Sequence, residues 1–173
     1  MKNLFQKYGS MFAIAGVIVA LDQWTKWLVR SGIPLGETWL PISLEWLSPY
    51  ARIVNWHNTG AAFGMFQGGS KVFTVLAFIV IGAILYYYPH VEKSDWTLRL
   101  AMSMQFAGAV GNLIDRLTIG HVTDFISVGT FPVFNIADAS ISVGAAVLFL
   151  GVWLRESAER KPKPNDTVDI PGE

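Results

Sequence analysis

Residues 72–88, VFTVLAFIVIGAILYYY, carry no charged side chain and end in three tyrosines. No other stretch limits the possible folds so sharply. A helix crosses the hydrocarbon core of a bilayer with about 20 predominantly apolar residues, within a range of roughly 17 to 25, and tyrosines collect at the interface. Backbone groups inside lipid must be satisfied within the segment, so a run of this kind is helical. Three more runs follow the same rule: 11–28 (MFAIAGVIVALDQWTKWL), 97–113 (TLRLAMSMQFAGAVGNL) and about 137–154. Composition agrees, with 52% hydrophobic and 15% charged residues against roughly 45 to 50% and about 25% in soluble domains. The predicted class is an all-α membrane protein with four transmembrane helices and a small extracytoplasmic β element.

The first run follows Lys2 and Lys7 and could pass for a secretory signal peptide, but it continues through Trp24 and Trp27 and further membrane segments come after it. It reads as a retained helix. Residues 32–69 are broken by Gly32, Pro34, Gly36, Pro41 and Pro49, and the runs ISLEWL and ARIVNWHN alternate apolar with polar residues. Such alternation predicts half-buried strands, and Trp39, Trp46 and Trp56 suit a small sheet resting at headgroup level. The charged, proline-rich segment 155–173 lacks apolar periodicity and is expected to be a disordered cytoplasmic tail, which leaves 1–154 as one integral-membrane domain. Lys2, Lys7, Lys93, Arg99, Arg155, Arg160, Lys161 and Lys163 fall on one side of this topology. Lys26, Arg30, Arg52, Lys71 and Arg116 fall on the other. The excess marks the cytoplasmic face, so both termini are expected inside and the β-rich segment outside.

The chemistry left open is narrow. Cysteine is absent, and His57, His90 and His121 lack the helical spacing of a metal site, so thiol catalysis and a metal cofactor are not expected. A net charge of zero gives no reason to expect nucleic acid as a partner. What remains is carboxylates. Asp124 and Asp138 lie in the stretch GHVTDFISVGTFPVFNIADASI, which contains no Lys or Arg. Two carboxyls brought together cannot both ionise easily, so one holds a proton and the pair can act as acid and base at once. Gly129 and Pro132 offer a turn that could return the chain and bring the two together. Spacing leaves a second reading open, in which Asp138 favours a helix N-terminus and Asp124 is simply exposed. Similarly, Asp22 and Lys26 stand one turn apart and can neutralise each other. Asn58 to Gly64, NTGAAFG, reads as a turn or a binding loop, and Gly108, Ala109 and Gly111 suit close helix packing.

Several ordered blocks carry a resemblance: LDQWTK at Asp22 and Lys26, NTGAAF at Asn58 to Phe63, GNLIDR at Gly111 to Arg116, VTDF ending at Phe125, and FNIADAS around Asn135 and Asp138. Together they resemble signal peptidase II, the lipoprotein signal peptidases of bacteria. The resemblance implies a globomycin-sensitive aspartic endopeptidase of the bacterial cytoplasmic membrane, with Asp124 and Asp138 as its catalytic dyad facing the periplasm or cell exterior. It implies a diacylglyceryl-modified prolipoprotein as substrate, cut before the lipidated cysteine, with membrane lipids as the other partner and a monomeric enzyme. It places Asn58, Gly60, Gly108, Asn112, Arg116 and Asn135 at positions that line or support the substrate site, and Asp22, Lys26 and Asp115 among supporting polar groups. On this reading Asn112 and Asn135 donate to the substrate backbone, and Arg116 holds substrate carbonyls or pairs with Asp115. His121 has no required role, and the Thr123 hydroxyl is a small departure able to tune the dyad. A proton- or ion-coupled transporter using Asp22, Asp115, Asp124 and Asp138, and a non-catalytic membrane scaffold, are the readings from other classes.

Overall fold

The computed structural model describes residues 2–60 and 69–159. Among the described residues are four long helices: α1 (Lys2–Gly32), α2 (Ser70–Tyr87), α3 (Trp96–Thr118) and α4 (Ile136–Glu159). Among the described residues, three segments are long and apolar enough to cross a membrane: Gln6–Gly32, Ser70–His90 and Ile136–Ser157. α3 differs because it is the buried helix of the bundle. Ala101, Ser103, Phe106, Ala107, Gly108, Asn112 and Asp115 are among the side chains it hides, so its polar groups face protein rather than lipid. α4 runs to Glu159, and the remainder of the expected tail, 160–173, lies outside the described residues.

Close approach of α3 and α4 depends on missing side chains. A Cβ on Gly108 would collide with the Ala137 carbonyl oxygen and with Ile141 Cγ1, the latter at 2.5 Å. One on Gly111 would sit 2.7 Å from Asp22 Oδ2. Small residues thus admit both the start of α4 and a carboxylate of α1 to the same face of α3. Farther along the bundle, Met11, Ala15, Ile84, Tyr88, Phe106 and Ala107 form an apolar cluster joining α1, α2 and α3.

The sheet has three antiparallel strands in the order β1 (Thr38–Trp39), β2 (Ala51–Asn58), β3 (Val122–Val128). ARIVNWHN is β2, as its alternation predicts, and VTDFISV is β3. ISLEWL is not a strand. Residues Ile42–Leu47 form a 3₁₀ helix with no buried residue, entered from Pro41, which has no N–H for a ladder. Ile42 is 91% exposed, so this segment has no second layer to make alternation worth keeping. The sheet takes its third strand instead from the chain after α3, where Trp56 faces Asp124 and Asn58 faces Val122.

Candidate active site

Asp124 is delivered by β3 and Asp138 by the first turn of α4. The return between them is anchored by Gly129, at φ 50°, whose N–H donates to the Tyr50 carbonyl at 2.7 Å. Phe134 then pairs back on β3, donating to Ile126 O (3.1 Å) and accepting from Phe125 N (3.0 Å) and Ile126 N (2.8 Å). That pairing sets Asn135 beside Asp124 just as α4 begins.

Asn135 is the hinge of the site. Its Nδ2 donates to Asp124 Oδ1 at 2.7 Å, while its Oδ1 accepts from Asp138 N at 2.9 Å. Its own N–H points at Asp138 Oδ2, 3.4 Å away. Asn135 and Asp138 therefore form a reciprocal cap of the capping-box kind, with Asp138 at the third helical position. The two readings that spacing left open for Asp138 are compatible: it does sit at a helix N-terminus, and it also meets Asp124 through a shared asparagine. Asp124 is not exposed, at 1% accessibility. Its other oxygen, Oδ2, accepts from Asn58 Nδ2 at 2.9 Å. Asn58 is in turn fixed by the Gly60 N–H on its Oδ1 (2.9 Å).

Asn112 serves Asp138 in the same way. Its Oδ1 accepts from Lys26 Nζ at 3.0 Å and from Asn135 Nδ2 at 3.1 Å. With the oxygen committed to donors, the amide nitrogen must turn outward, and it donates to Asp138 Oδ1 at 2.7 Å. The amides of Asn112 and Asn135, expected to reach for a substrate backbone, point at the two aspartates.

A second polar cluster lies directly behind. Lys26, wholly buried, contacts Asp22 Oδ2 (2.8 Å) and Asp115 Oδ2 (3.2 Å). Asp22 thus pairs within its own helix, as the spacing allows, and its Oδ1 also accepts from Ala137 N at 2.9 Å, capping α4 from α1. Asp115 accepts from Thr123 N (3.0 Å), with Arg30 Nη1 3.5 Å from its Oδ1. Gln23, whose Nε2 reaches Asp22, Gly111 O and Asp115, completes the group. Arg116 is not the partner of Asp115. The Thr123 hydroxyl accepts from Arg30 Nη1 at 3.1 Å, so it belongs to this cluster rather than to the aspartate pair. Sequence reasoning missed Arg30 and Gln23. Arg30 follows Lys26 at the spacing by which Lys26 follows Asp22, one stripe of α1, and that was the available signal.

Between α2, α4 and the sheet lies a groove of about 440 Å³, open to Asp138. Asn58, Gly60, Asn112 and Arg116 line its polar end, and Phe73, Phe131, Val133, Phe134, Ile141 and Val143 its apolar walls. Arg116 stands with its guanidinium carbon 5.6 Å from the centre of the Phe73 ring. Asp124 lies beneath the surface, behind Asn58 and Asn135. Gly108 faces the α3–α4 contact and is not among the groove residues. His121 stacks on His57 with ring centres 3.7 Å apart. Ala61–Gly64 of the glycine-containing loop fall outside the described residues.

The profile of the family described as signal peptidase (SPase) II matches residues 14–154. The chain belongs to the signal peptidase II family. It is 39% identical over 151 residues to the lipoprotein signal peptidase of Shouchella clausii, covering 87% of this chain and 97% of that protein. It is 36% identical over 156 residues to the one from Halalkalibacterium halodurans, covering 88% and 97%. Two solved chains, each titled as a bacterial membrane enzyme determined by the in meso method, superpose with TM-scores of 0.79 and 0.73 at 31% identity. The first covers 90% of this chain and 93% of its own, the second 83% and 92%. Membership in the signal peptidase II family makes the chain a peptidase and leaves the transporter reading without support.

Burial and the neighbouring Asp138 raise the Asp124 carboxyl from the usual 3.8 to about 7, against the opposing pull of the Asn58 and Asn135 amides and of Lys26. His57 moves down, chiefly by burial and then by His121 and Arg30 beside it.

Proposed function

We propose that Asp124 and Asp138 are the catalytic dyad of a membrane aspartic endopeptidase that removes the signal peptide from diacylglyceryl-modified prolipoproteins. The observation that carries this reading is the double grip of Asn135, which holds Asp124 by its side-chain nitrogen and Asp138 by its backbone N–H and side-chain oxygen. Neither aspartate has a cation within ion-pair distance among the described residues. A pair held by neutral amides keeps one proton near neutral pH and titrates as a unit. The ionised carboxylate takes a proton from water as its oxygen attacks the scissile carbonyl carbon. The protonated partner hydrogen-bonds the carbonyl oxygen, and the tetrahedral intermediate collapses with cleavage of the C–N bond and proton delivery to the amine of the lipidated cysteine.

Asn58 and Asn112 orient the two carboxylates, and Arg116 at the mouth of the groove receives substrate carbonyls or the lipid ester region. The apolar walls, from Phe73 to Val143, accept the signal helix or diacyl chains moving in from the bilayer. All four helices span the membrane, with α3 sheathed by the other three. The Lys and Arg bias puts the start of α1 and the end of α4 on the cytoplasmic side and the sheet and dyad on the outer side. The enzyme works as a monomer among lipids.

Reconstituted enzyme given a diacylglyceryl prolipoprotein tests the dyad. Asp124→Asn and Asp138→Asn should each abolish processing, and full processing by either variant would remove that aspartate from the mechanism.

A further inference from the structure

At the end of the bundle remote from the aspartates, Gln6, Lys7, Pro89, Val91, Lys93 and Arg99 line a cavity of about 270 Å³. Three of these residues are cations and none is acidic. Arg99 is held rigidly: Nη1 donates to Val91 O (3.1 Å), Nη2 donates to Lys7 O (3.2 Å), and Cζ lies 4.2 Å from the centre of the Tyr88 ring. Tyr88 is itself fully buried, its hydroxyl 2.9 Å from Ser10 Oγ and its ring stacked on Tyr8. A guanidinium has five N–H donors, so two carbonyls leave part of the fork free while fixing its direction.

The acidic residues of the adjoining turn are engaged elsewhere. Asp95 pairs with Arg155 at 2.8 Å and caps α3 through the Leu98 N–H. Glu92 accepts from the Ser94 hydroxyl at 3.1 Å. Among the described residues no carboxylate lies within ion-pair distance of Lys7, Lys93 or Arg99. The cavity also sits at a telling depth, because the apolar span of α1 begins at Gln6 and that of α2 ends at His90. Its cations are therefore level with lipid headgroups.

We propose that this cavity binds a phosphate group, supplied by the headgroup of an anionic phospholipid. A planar guanidinium flanked by two ammonium groups matches phosphate oxygens in number and charge. Basic pockets between helices near a membrane surface take such headgroups. The volume, at the small end for ligand sites, admits the phosphate while the acyl chains remain in the bilayer. A bound headgroup bridges Lys7 of α1, Lys93 of the α2–α3 turn and Arg99 of α3, and so ties those ends together. The proposal rests on the membrane placement of the chain and not on the peptidase reading.

The test uses the full chain in nanodiscs of phosphatidylcholine alone or with phosphatidylglycerol, reading retained lipid by native mass spectrometry and melting temperature in parallel. Wild type should retain phosphatidylglycerol and melt higher in its presence. Lys7→Gln and Lys93→Gln, both exposed side chains, should each weaken retention about fivefold without altering the melt in phosphatidylcholine. Arg99→Lys should lose more, because an ammonium cannot reproduce the fork. Inorganic phosphate added to phosphatidylcholine discs separates the sources. A rise in melting temperature with phosphate, lost in Lys93→Gln, would keep the site but make its ligand soluble. Equal melting in all lipids and in phosphate, or retention of phosphatidylglycerol by the variants equal to wild type, would overturn the site.

Discussion

The molecule sets two pairs of aspartates side by side, all buried but Asp138, which is half-buried at the groove, and treats them oppositely. Asp22 and Asp115 meet Lys26, with Arg30 beside Asp115, at ion-pair distance. Asp124 and Asp138 meet only asparagine amides and backbone N–H groups. Burial of a carboxylate is costly unless it is paired or neutralised, and the first pair, met by cations, forms a strut between α1, α3, β3 and α4. The second pair is left with the option of holding a proton. The two clusters touch at one residue, Asn112, whose oxygen is fixed by Lys26 and whose nitrogen is therefore presented to Asp138. The cationic cluster thus shapes the amide-held one without neutralising it directly.

The sharpest way to break this contrast is to substitute one residue from each cluster. Asp138→Asn should lower prolipoprotein cleavage by about ten-thousand-fold or more while the melting temperature stays near wild type. Lys26→Met should do the reverse first: it strands two buried carboxylates, at a cost of about 3 to 5 kcal/mol, readable as a fall in melting temperature before any kinetic assay. If Lys26→Met folds as well as wild type and only kcat drops, the cationic cluster is part of the chemistry and the contrast fails.

Asn135→Ala removes the shared grip. Loss of the cap costs about 0.5 to 2 kcal/mol in stability, and on the proposed mechanism kcat should fall by more than KM rises, since the amide holds Asp124 and Asp138. An effect confined to KM would restore Asn135 to the substrate-contacting role expected from its sequence block.

Stability against pH gives a finer comparison. Asp124 binds its proton up to about pH 7 when folded, against 3.8 for an ordinary carboxyl. Between these values the folded state holds more protons than the unfolded one, so stability from this group is present at low pH and is lost as pH rises toward 7. Asp124→Asn lacks the loss. Its melting temperature should therefore gain on wild type from about pH 4 to pH 7 and run parallel above. By the same logic, wild-type cleavage should decline above about pH 7 as the pair gives up its shared proton.

Arg30→Gln should have the smallest effect. Its side chain is 29% exposed and sits 3.5 Å from Asp115, the kind of partly solvated contact that contributes about 0 to 1 kcal/mol. A melting shift as large as that of Lys26→Met would mean that the strut depends on its rim as much as on its buried core.

How far the sequence alone leads to this arrangement differs residue by residue. The apolar segments and β2 were legible because their periodicities are local, whereas β3, buried along nearly its whole length, carries no alternation to read. ISLEWL carried the same alternation as β2, yet a stretch that short is equally compatible with a 3₁₀ helix when no layer covers it, and Pro41 and Pro49 at its borders favoured the turn. The cap at Asn135 was legible in principle, as a polar N-cap followed three residues later by an acid. What no local pattern could supply was Asp22 capping Ala137 from the far end of the chain. The same holds for Lys26 reaching across to Asn112. These depend on Gly108 and Gly111 letting three helices meet, a consequence of tertiary packing.

The central claim, that the amide-held pair of Asp124 and Asp138 keeps a proton near neutral pH, is open to direct titration. Carbon-13 NMR of the carboxyl carbons in aspartate-labelled protein, followed from pH 4 to pH 9, should show one resonance moving with a midpoint near 7. That movement should be absent in Asp124→Asn. If every carboxyl has finished titrating below pH 5, or if the neutral-range titration survives in Asp124→Asn, the account of the dyad is wrong.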